Sequence, residues 1–149
     1  MRIVVDTNLV FSAILNTDST IGDLLLNSNE LFKFYTCNYL RNEIETHRNK
    51  LLELTKKSQK EIIEIEYLVC NEILFVNEEQ IPDKHFKQAV KLVEDIDFKD
   101  VAFVALNDYM DSILWTGDKK LIKGLKEKGY LSVISTAEMV ELRKKLEKE

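Results

Sequence analysis

Short apolar runs alternate along this chain with segments whose apolar residues recur at helical spacing. The first run, Ile3-Val4-Val5, is unbroken and β-branched, which is typical of a strand buried on both faces of a parallel sheet. Four further runs predict strands over residues 31–36, 73–76, 112–115 and 131–134. Because helical segments separate these runs, the pattern predicts an α/β layered domain with a mostly parallel sheet.

The segments between the runs predict the helices. One long helix is expected from an N-cap at Asn38 through Leu40, Ile44, His47 and Leu51. A helix over 59–71 is expected to bury Ile62, Ile63, Tyr67 and either Val69 or Cys70, and one opened by Pro82 is expected to bury Phe86, Ala89, Val90 and Val93. The remaining helices are expected over 9–15, 20–26, 98–109 and 118–127, with a last one starting at the Ser135–Glu138 capping box.

Length and composition favour one ordinary globular domain. The chain has 149 residues and no Pro-, Gly- or Ser-rich linker, so residues 1–149 are interpreted as a single domain. The net charge of -5 argues against a protein that coats polyanions generically. No apolar run approaches the roughly 18 residues of a membrane span, and no signal-peptide pattern follows Met1, so a cytoplasmic location is expected.

Several kinds of site are excluded by residue counts and spacing. Cys37 and Cys70 form no CxxC pair or Cys/His cluster, which disfavours zinc and indicates reduced thiols. The four glycines cannot form a GxGxxG or Walker loop. No serine lies in a GxSxG elbow.

Four acids follow predicted strands or lie near the starts of predicted helices, positions at which α/β folds commonly hold functional groups. Asp6 follows the first strand and Asp118 follows the fourth, so both are expected at the carboxyl edge of the sheet, where ligands bind in such folds. Glu43 and Asp100 lie near the starts of two predicted helices. If these helices start at the same edge, four carboxylates converge, which favours a bound cation. Oxygen ligands without His or Cys point to Mg²⁺ or Mn²⁺.

Each acid also has a purely structural interpretation. Asp6 and Asp118 are both suited to cap a helix, and Glu43 fits a solvated helix face. Asp97 is interpreted as the N-cap of the helix that follows it rather than as a metal ligand. The functional hypothesis therefore depends on the joint pattern and its order along the chain.

That order resembles the PIN-domain family over essentially the whole chain. The opening Ile3-Val4-Val5-Asp6-Thr7-Asn8 is similar to the first PIN motif, and Leu40-Arg41-Asn42-Glu43-Ile44 to the second. The third and fourth motifs resemble the stretches from Asp97 to Leu106 and from Leu114 to Leu121. The chain departs from the family's small-residue run at Asn107 and Asp108.

The resemblance implies a three-layer sandwich of helices around a five-stranded parallel sheet and metal-dependent cleavage of RNA. Many small members are toxins of toxin–antitoxin pairs in the style of VapC, so an antitoxin partner and a homodimer are implied as well. Carried over by position, the acids are Asp6, Glu43, Asp100 and Asp118. Asn8 and Thr116 are implied as supporting polar groups.

The proposed chemistry is phosphodiester hydrolysis assisted by one or two Mg²⁺ or Mn²⁺ ions. Among the basic residues, Lys119 and Lys120 beside Asp118 are the expected RNA contacts, whereas most others are interpreted as solvated helix faces. One alternative is a haloacid-dehalogenase-like phosphatase, which needs an acid where this chain has Asn8. The other is a PIN-like domain that binds RNA or protein without cutting, which the complete set of acids disfavours.

Overall fold

Five short parallel strands form the centre of the protein in a computed structural model that describes residues 1–149. The strands lie in the order β3-β2-β1-β4-β5, and every neighbouring pair is parallel. Their bounds are β1 Arg2–Val5, β2 Lys33–Cys37, β3 Ile73–Val76, β4 Ile113–Trp115 and β5 Val133–Ile134. The predicted α/β class and parallel sheet are therefore confirmed.

Nine helices connect the strands. They are α1 Thr7–Leu15, α2 Thr20–Asn27, α3 Leu40–Thr46, α4 Arg48–Thr55, α5 Gln59–Cys70, α6 Asp83–Val93, α7 Val101–Met110, α8 Lys119–Glu127 and α9 Thr136–Glu147. Two 3₁₀ turns, Glu78–Gln80 and Phe98–Asp100, precede α6 and α7. No single helix is long and apolar enough to cross a membrane, and α1 with α2 reaches that length only as a pair bent by 101°.

Alternating side chains of the central strands enter two separate cores, one on each face of the sheet. Ile3 and Val5 of β1 pack in one core, whereas Val4 packs in the other. The first core is shared with α1–α5 and α9, and the second with α6, α7 and α8. This division is the three-layer sandwich that the resemblance implied.

The predicted long helix after Asn38 is wrong, because the chain forms two helices that break at His47 (φ -98°, ψ 8°). The N-cap is Tyr39, while Asn38 still belongs to the sheet edge and donates its N–H to the carbonyl of Val76 at 2.9 Å. At the break, His47 contacts Phe11 of α1, and the neighbouring Arg48 binds α5. These contacts join helices that are far apart in sequence, so local periodicity does not encode the break.

The predicted inward face of α5 is partly wrong. Ile62 and Val69 are buried, but Ile63 is 42% exposed and Tyr67 is 72% exposed. The inward position between them belongs to Glu66, whose charge is satisfied by Arg48 at 2.7 Å. A buried charge with a partner on another helix can thus take a position that apolarity alone would assign elsewhere.

On α6 the predicted buried stripe holds for Ala89 and Val93. Phe86 and Val90 are only partly buried, and Leu92, which the pattern did not select, is buried.

The strand order places a topological switch between β1 and β4. The chain leaves β1 toward β2 and later returns to β4 on the opposite side of β1. Val5 pairs with Trp115, so the residues that follow both strands emerge next to each other at the carboxyl edge. In open α/β sheets, this is the position at which ligands bind.

Candidate active site

Asp6 lies at the end of β1 and is only 6% exposed. Its N–H extends the sheet by donating to the carbonyl of Trp115 at 3.2 Å, which fixes the backbone. It occupies the N-cap position of α1 but makes no capping hydrogen bond with its side chain. The backbone N–H groups of Asn8 and Thr7 are nevertheless close enough to lower the pKa of this carboxyl, so the carboxylate lies at the start of α1 without a full capping hydrogen bond.

Thr116 connects this carboxylate to the end of β4. Its buried hydroxyl donates to Oδ2 of Asp6 at 2.7 Å, and Oγ1 of Thr116 accepts from the N–H of Asp118 at 3.1 Å. Burial raises the pKa of Asp6, and the Thr116 hydroxyl opposes that rise. Thr116 thus hydrogen-bonds to the side chain of one acid and to the backbone of another.

Asp118 is both the N-cap of α8 and a member of the acidic edge. One carboxylate oxygen, Oδ1, accepts from the N–H groups of Lys120 at 3.0 Å and Leu121 at 3.1 Å. The structural interpretation of this residue is therefore correct. The second carboxylate oxygen of Asp118 makes no hydrogen bond within the protein. The Asp118 charge raises the pKa of both Asp6 and Asp100.

Asp97 and Asp100 have the separate positions that the sequence predicts. The exposed Asp97 accepts from the N–H of Lys99 at 3.0 Å and caps the 3₁₀ turn before α7. Asp100 ends that turn, is buried, and its Oδ2 has no hydrogen-bond partner.

Asp100 is the most strongly perturbed carboxyl group at this edge. Burial raises its pKa to about 7, with further contributions from the charges of Asp6, Asp97 and Asp118. An unpaired buried oxygen facing other acids is costly, so this arrangement needs a proton or a cation to be satisfied.

Glu43 stands apart from the three aspartates. It is partly exposed on α3 and lines a groove together with Thr7 and the exposed Asn8. Its charge is not among those that shift the pKa of Asp6 or Asp100. The structure thus brings Asp6, Asp100 and Asp118 within electrostatic range of one another and places Glu43 and Asn8 beside them.

Tyr39 lies between Glu43 and the aspartate edge, and the sequence analysis did not select it as a site residue. Burial raises its pKa, and the charges of Glu43 and Asp6 raise it further. Its ring packs on Phe103 of α7 with the centroids 5.7 Å apart. The signal was weak, because Tyr39 directly precedes α3 and does not belong to its apolar stripe.

The carboxylates of this edge are chemically suited to a hard divalent cation, but their oxygens are not all close together. As the side chains stand, no group of three or more acids, histidines or cysteines is close enough to hold a metal ion. The expectation that all four carboxylates meet within a few ångströms is therefore not met by this arrangement. The unpartnered Oδ2 of Asp100 and the unused oxygen of Asp118 are nevertheless the oxygen ligands that Mg²⁺ and Mn²⁺ prefer.

Basic residues near the site divide into paired and unpaired ones. Arg41 lies 3.9 Å over the ring of Phe75, Arg48 binds Glu66, and Lys123 is 3.9 Å from Glu127. Lys119 and Lys120, in the first turn of α8, are exposed and form no ion pair. These two lysines are thus the cations beside Asp118 that remain available to a ligand.

A five-stranded parallel sheet between two layers of helices, with acids at its carboxyl edge, defines the fold and the site as those of a PIN-like α/β protein. Residues 4–145 match the family profile of the PIN domain, so the chain belongs to the PIN-domain family, whose members are nucleases. No curated protein matches the chain.

Among solved structures, the fold is similar to a chain in the crystal structure of VapBC2 from Rickettsia felis bound to a DNA fragment from their promoter. The TM-score is 0.69 at 13% sequence identity, and the match covers 91% of this chain and 98% of that chain. The likeness confirms the PIN-like sandwich.

Proposed function

We propose that this protein is a metal-dependent endoribonuclease that hydrolyses RNA phosphodiester bonds at the edge formed by Asp6, Asp100 and Asp118, with Glu43 beside it. The observation that carries the proposal is the buried, unpartnered oxygen of Asp100, which faces the charges of Asp6 and Asp118. A fold that merely needed a helix start would not bury a carboxylate among like charges. Membership of a nuclease family supports the same conclusion.

Three side chains are suited to hold Mg²⁺ or Mn²⁺. Asp6 is oriented by Thr116, Asp100 has a free oxygen, and Asp118 keeps one oxygen outside its cap. When bound, the ion lowers the pKa of a coordinated water and offsets charge on the phosphate.

The other residues of the edge have roles that follow from their positions. Glu43, partly exposed at the mouth of the groove, is suited to accept a proton from the attacking water. Asn8, exposed beside it, offers an amide to the substrate. Lys119 and Lys120 are suited to contact backbone phosphates, which position an RNA strand without selecting its sequence.

We further propose that the protein is the toxin of a toxin–antitoxin pair that acts as a homodimer in the cytoplasm. The support is membership of the PIN-domain family and the structural likeness to VapBC2, whose crystal structure contains promoter DNA. Expression of the wild type is then expected to arrest growth. Asp6→Asn, or coexpression of the protein encoded by the neighbouring gene, is expected to relieve the arrest, and unimpaired growth with the wild type would argue against a toxin.

The direct test is cleavage of single-stranded RNA by the purified protein with Mg²⁺ or Mn²⁺, with and without EDTA. Asp6→Asn removes a charge without changing shape and is expected to abolish cleavage while the protein stays folded. Asp18→Asn, at an exposed acid in the α1–α2 loop, is the matched control and is expected to cleave normally. RNA binding without any cleavage would instead identify a non-catalytic binding domain, and cleavage that survives EDTA would contradict the metal.

A further inference from the structure

A groove between α1 and the α3–α4 pair opens directly beside the acids. Its volume is about 310 Å³, at the low end of the range of small-ligand clefts. One wall presents Thr7, Phe11 and Leu15, which are spaced four residues apart on one face of α1. Thr7 follows Asp6 in the chain and Glu43 lies in the facing wall, so the groove continues the proposed active site.

The groove changes character along its length. Glu43 gives one end a negative charge, and the exposed Leu54 makes the other end apolar. Between them, the rings of Phe11 and His47 stand perpendicular, at 82°, with centroids 5.8 Å apart. Lys50 also lines the groove, is exposed, and forms no ion pair.

The geometry points to this groove as a subsite for one nucleoside of the RNA strand next to the scissile phosphate. The base lies against the Phe11–His47 pair and the adjoining backbone phosphate lies toward Lys50. The inference rests on the proposed function, because it takes the acids as the site of cleavage. It adds a base-contacting surface that the acids themselves do not provide.

Charge and polarity favour a base over the other parts of a nucleotide. A phosphate beside the Glu43 carboxylate would be repelled, whereas a neutral ring is not. Stacking on aromatic side chains is the usual way in which proteins hold unpaired bases, because every base has a π-face. An apolar floor and two aromatic rings next to one free cation match that combination.

The test compares two substitutions that each replace an aromatic ring by leucine. Phe11→Leu removes the ring but keeps an apolar side chain, since Phe11 packs partly against the core. Tyr67→Leu is the matched control, because Tyr67 is exposed on α5 outside the groove. Thermal melting of each variant checks that it is folded, and His47→Ala, at an exposed residue, provides a second variant.

Three measurements are made on a random-sequence single-stranded RNA pool. In EDTA, fluorescence anisotropy should show about fivefold or greater loss of affinity for Phe11→Leu and for His47→Ala, and none for Tyr67→Leu. Lys50→Ala should reduce the slope of log affinity against log salt by about 0.7, the value for one phosphate contact on a single strand. With Mg²⁺, sequencing of the cleaved ends should show a base preference beside the cut that Phe11→Leu flattens.

The outcomes separate this inference from the proposed function. Phe11-dependent binding without cleavage would support a base-contacting surface in this groove and contradict the nuclease, and with it the place of that surface beside a scissile phosphate. Cleavage with binding and base preference unchanged in folded Phe11→Leu and His47→Ala would overturn the subsite and leave the nuclease standing, with the groove then assigned to a protein partner. A wild type that neither binds nor cuts RNA would overturn both.

Discussion

Buried polar side chains lie at both ends of α7, but only the one at the C-terminal end has all its hydrogen-bond partners. At the C-terminal end, Asn107 is satisfied on all sides: its amide donates to Tyr130 Oη at 2.7 Å and to the Ser132 carbonyl at 2.9 Å, and its Oδ1 accepts from Ser112 at 2.7 Å. At the N-terminal end, Asp100 has an oxygen with no partner. The helix thus ends in a completed network and is preceded by an incomplete one at its N-cap.

The contrast separates polar groups that hold the fold together from one that is poised for a ligand. A fully bonded buried network rigidifies its surroundings, whereas a buried unpaired group lowers stability. The incomplete end lies at the carboxyl edge of the sheet, beside Asp6 and Asp118, and the complete end lies at the opposite edge. We therefore expect substitutions at the two ends to divide between activity and stability.

The largest expected effect is on cleavage by Asp100→Asn. Loss of a charge that would hold the ion should reduce RNA cleavage about 10³-fold, since such an ion supplies several kcal/mol of transition-state stabilisation. The metal-free variant should nevertheless melt at or above the wild-type temperature at neutral pH, because the like-charge repulsion at this edge is reduced. Single-turnover cleavage and metal-free melting test both, and a destabilised but active variant would reverse the contrast.

The second effect is on stability at the other end. Asn107→Ala removes three buried hydrogen bonds, to Tyr130 Oη, the Ser132 carbonyl and the Ser112 hydroxyl, so the free energy of unfolding should fall by about 3 kcal/mol. Denaturant unfolding measures this loss. Cleavage per folded molecule should stay near the wild-type rate, and a selective loss of activity would show that the complete network also serves catalysis.

Sequence reasoning succeeded where local order decides the outcome. Asp6 and Asp118 follow short apolar runs that were predicted to be strands and are strands in the structure. A parallel sheet brings the carboxyl ends of such strands to one edge. The cap at Asp97 and the capping box at Ser135 are also local patterns, and both are present in the structure.

It failed where a distant partner decides the outcome. The break at His47, the buried position of Glu66 and the groove formed by Phe11 all depend on contacts between helices far apart in sequence. Which basic residues remain unpaired depends on such contacts too, since Arg48 is bound by Glu66 of α5.

The third prediction uses pH to isolate the incomplete end. The pKa of Asp100 is raised from 3.8 to about 7, so the metal-free folded state binds the proton more tightly than the unfolded state. This contribution to stability is full below pH 3.8 and is lost as the pH rises through about 7. The full shift would correspond to about 4 kcal/mol, and solvent screening should reduce the observed loss to about 2 kcal/mol.

Urea unfolding in EDTA at several pH values between these limits measures the loss. Asp100→Asn should remove most of the slope, whereas Asn107→Ala should lower the whole curve without changing its slope. An identical slope in wild type and Asp100→Asn would place the perturbed proton elsewhere.

The smallest expected effect is on stability, and it separates Asp97, which caps the 3₁₀ turn, from Asp100, which ends it. Asp97 is exposed and spends its Oδ1 on the N–H of Lys99, so Asp97→Ala should lower the free energy of unfolding by about 1 kcal/mol through the lost cap. Asp97→Asn keeps an acceptor oxygen and should restore most of that stability. Both variants should retain most of the cleavage activity, because the Asp97 side chain makes no hydrogen bond to Asp100 and both variants keep the backbone carbonyl that accepts the Asp100 N–H. Melting temperatures and cleavage rates of the pair provide the measurement, and a fully stable but inactive Asp97→Asn would move the metal-binding acid from Asp100 to Asp97.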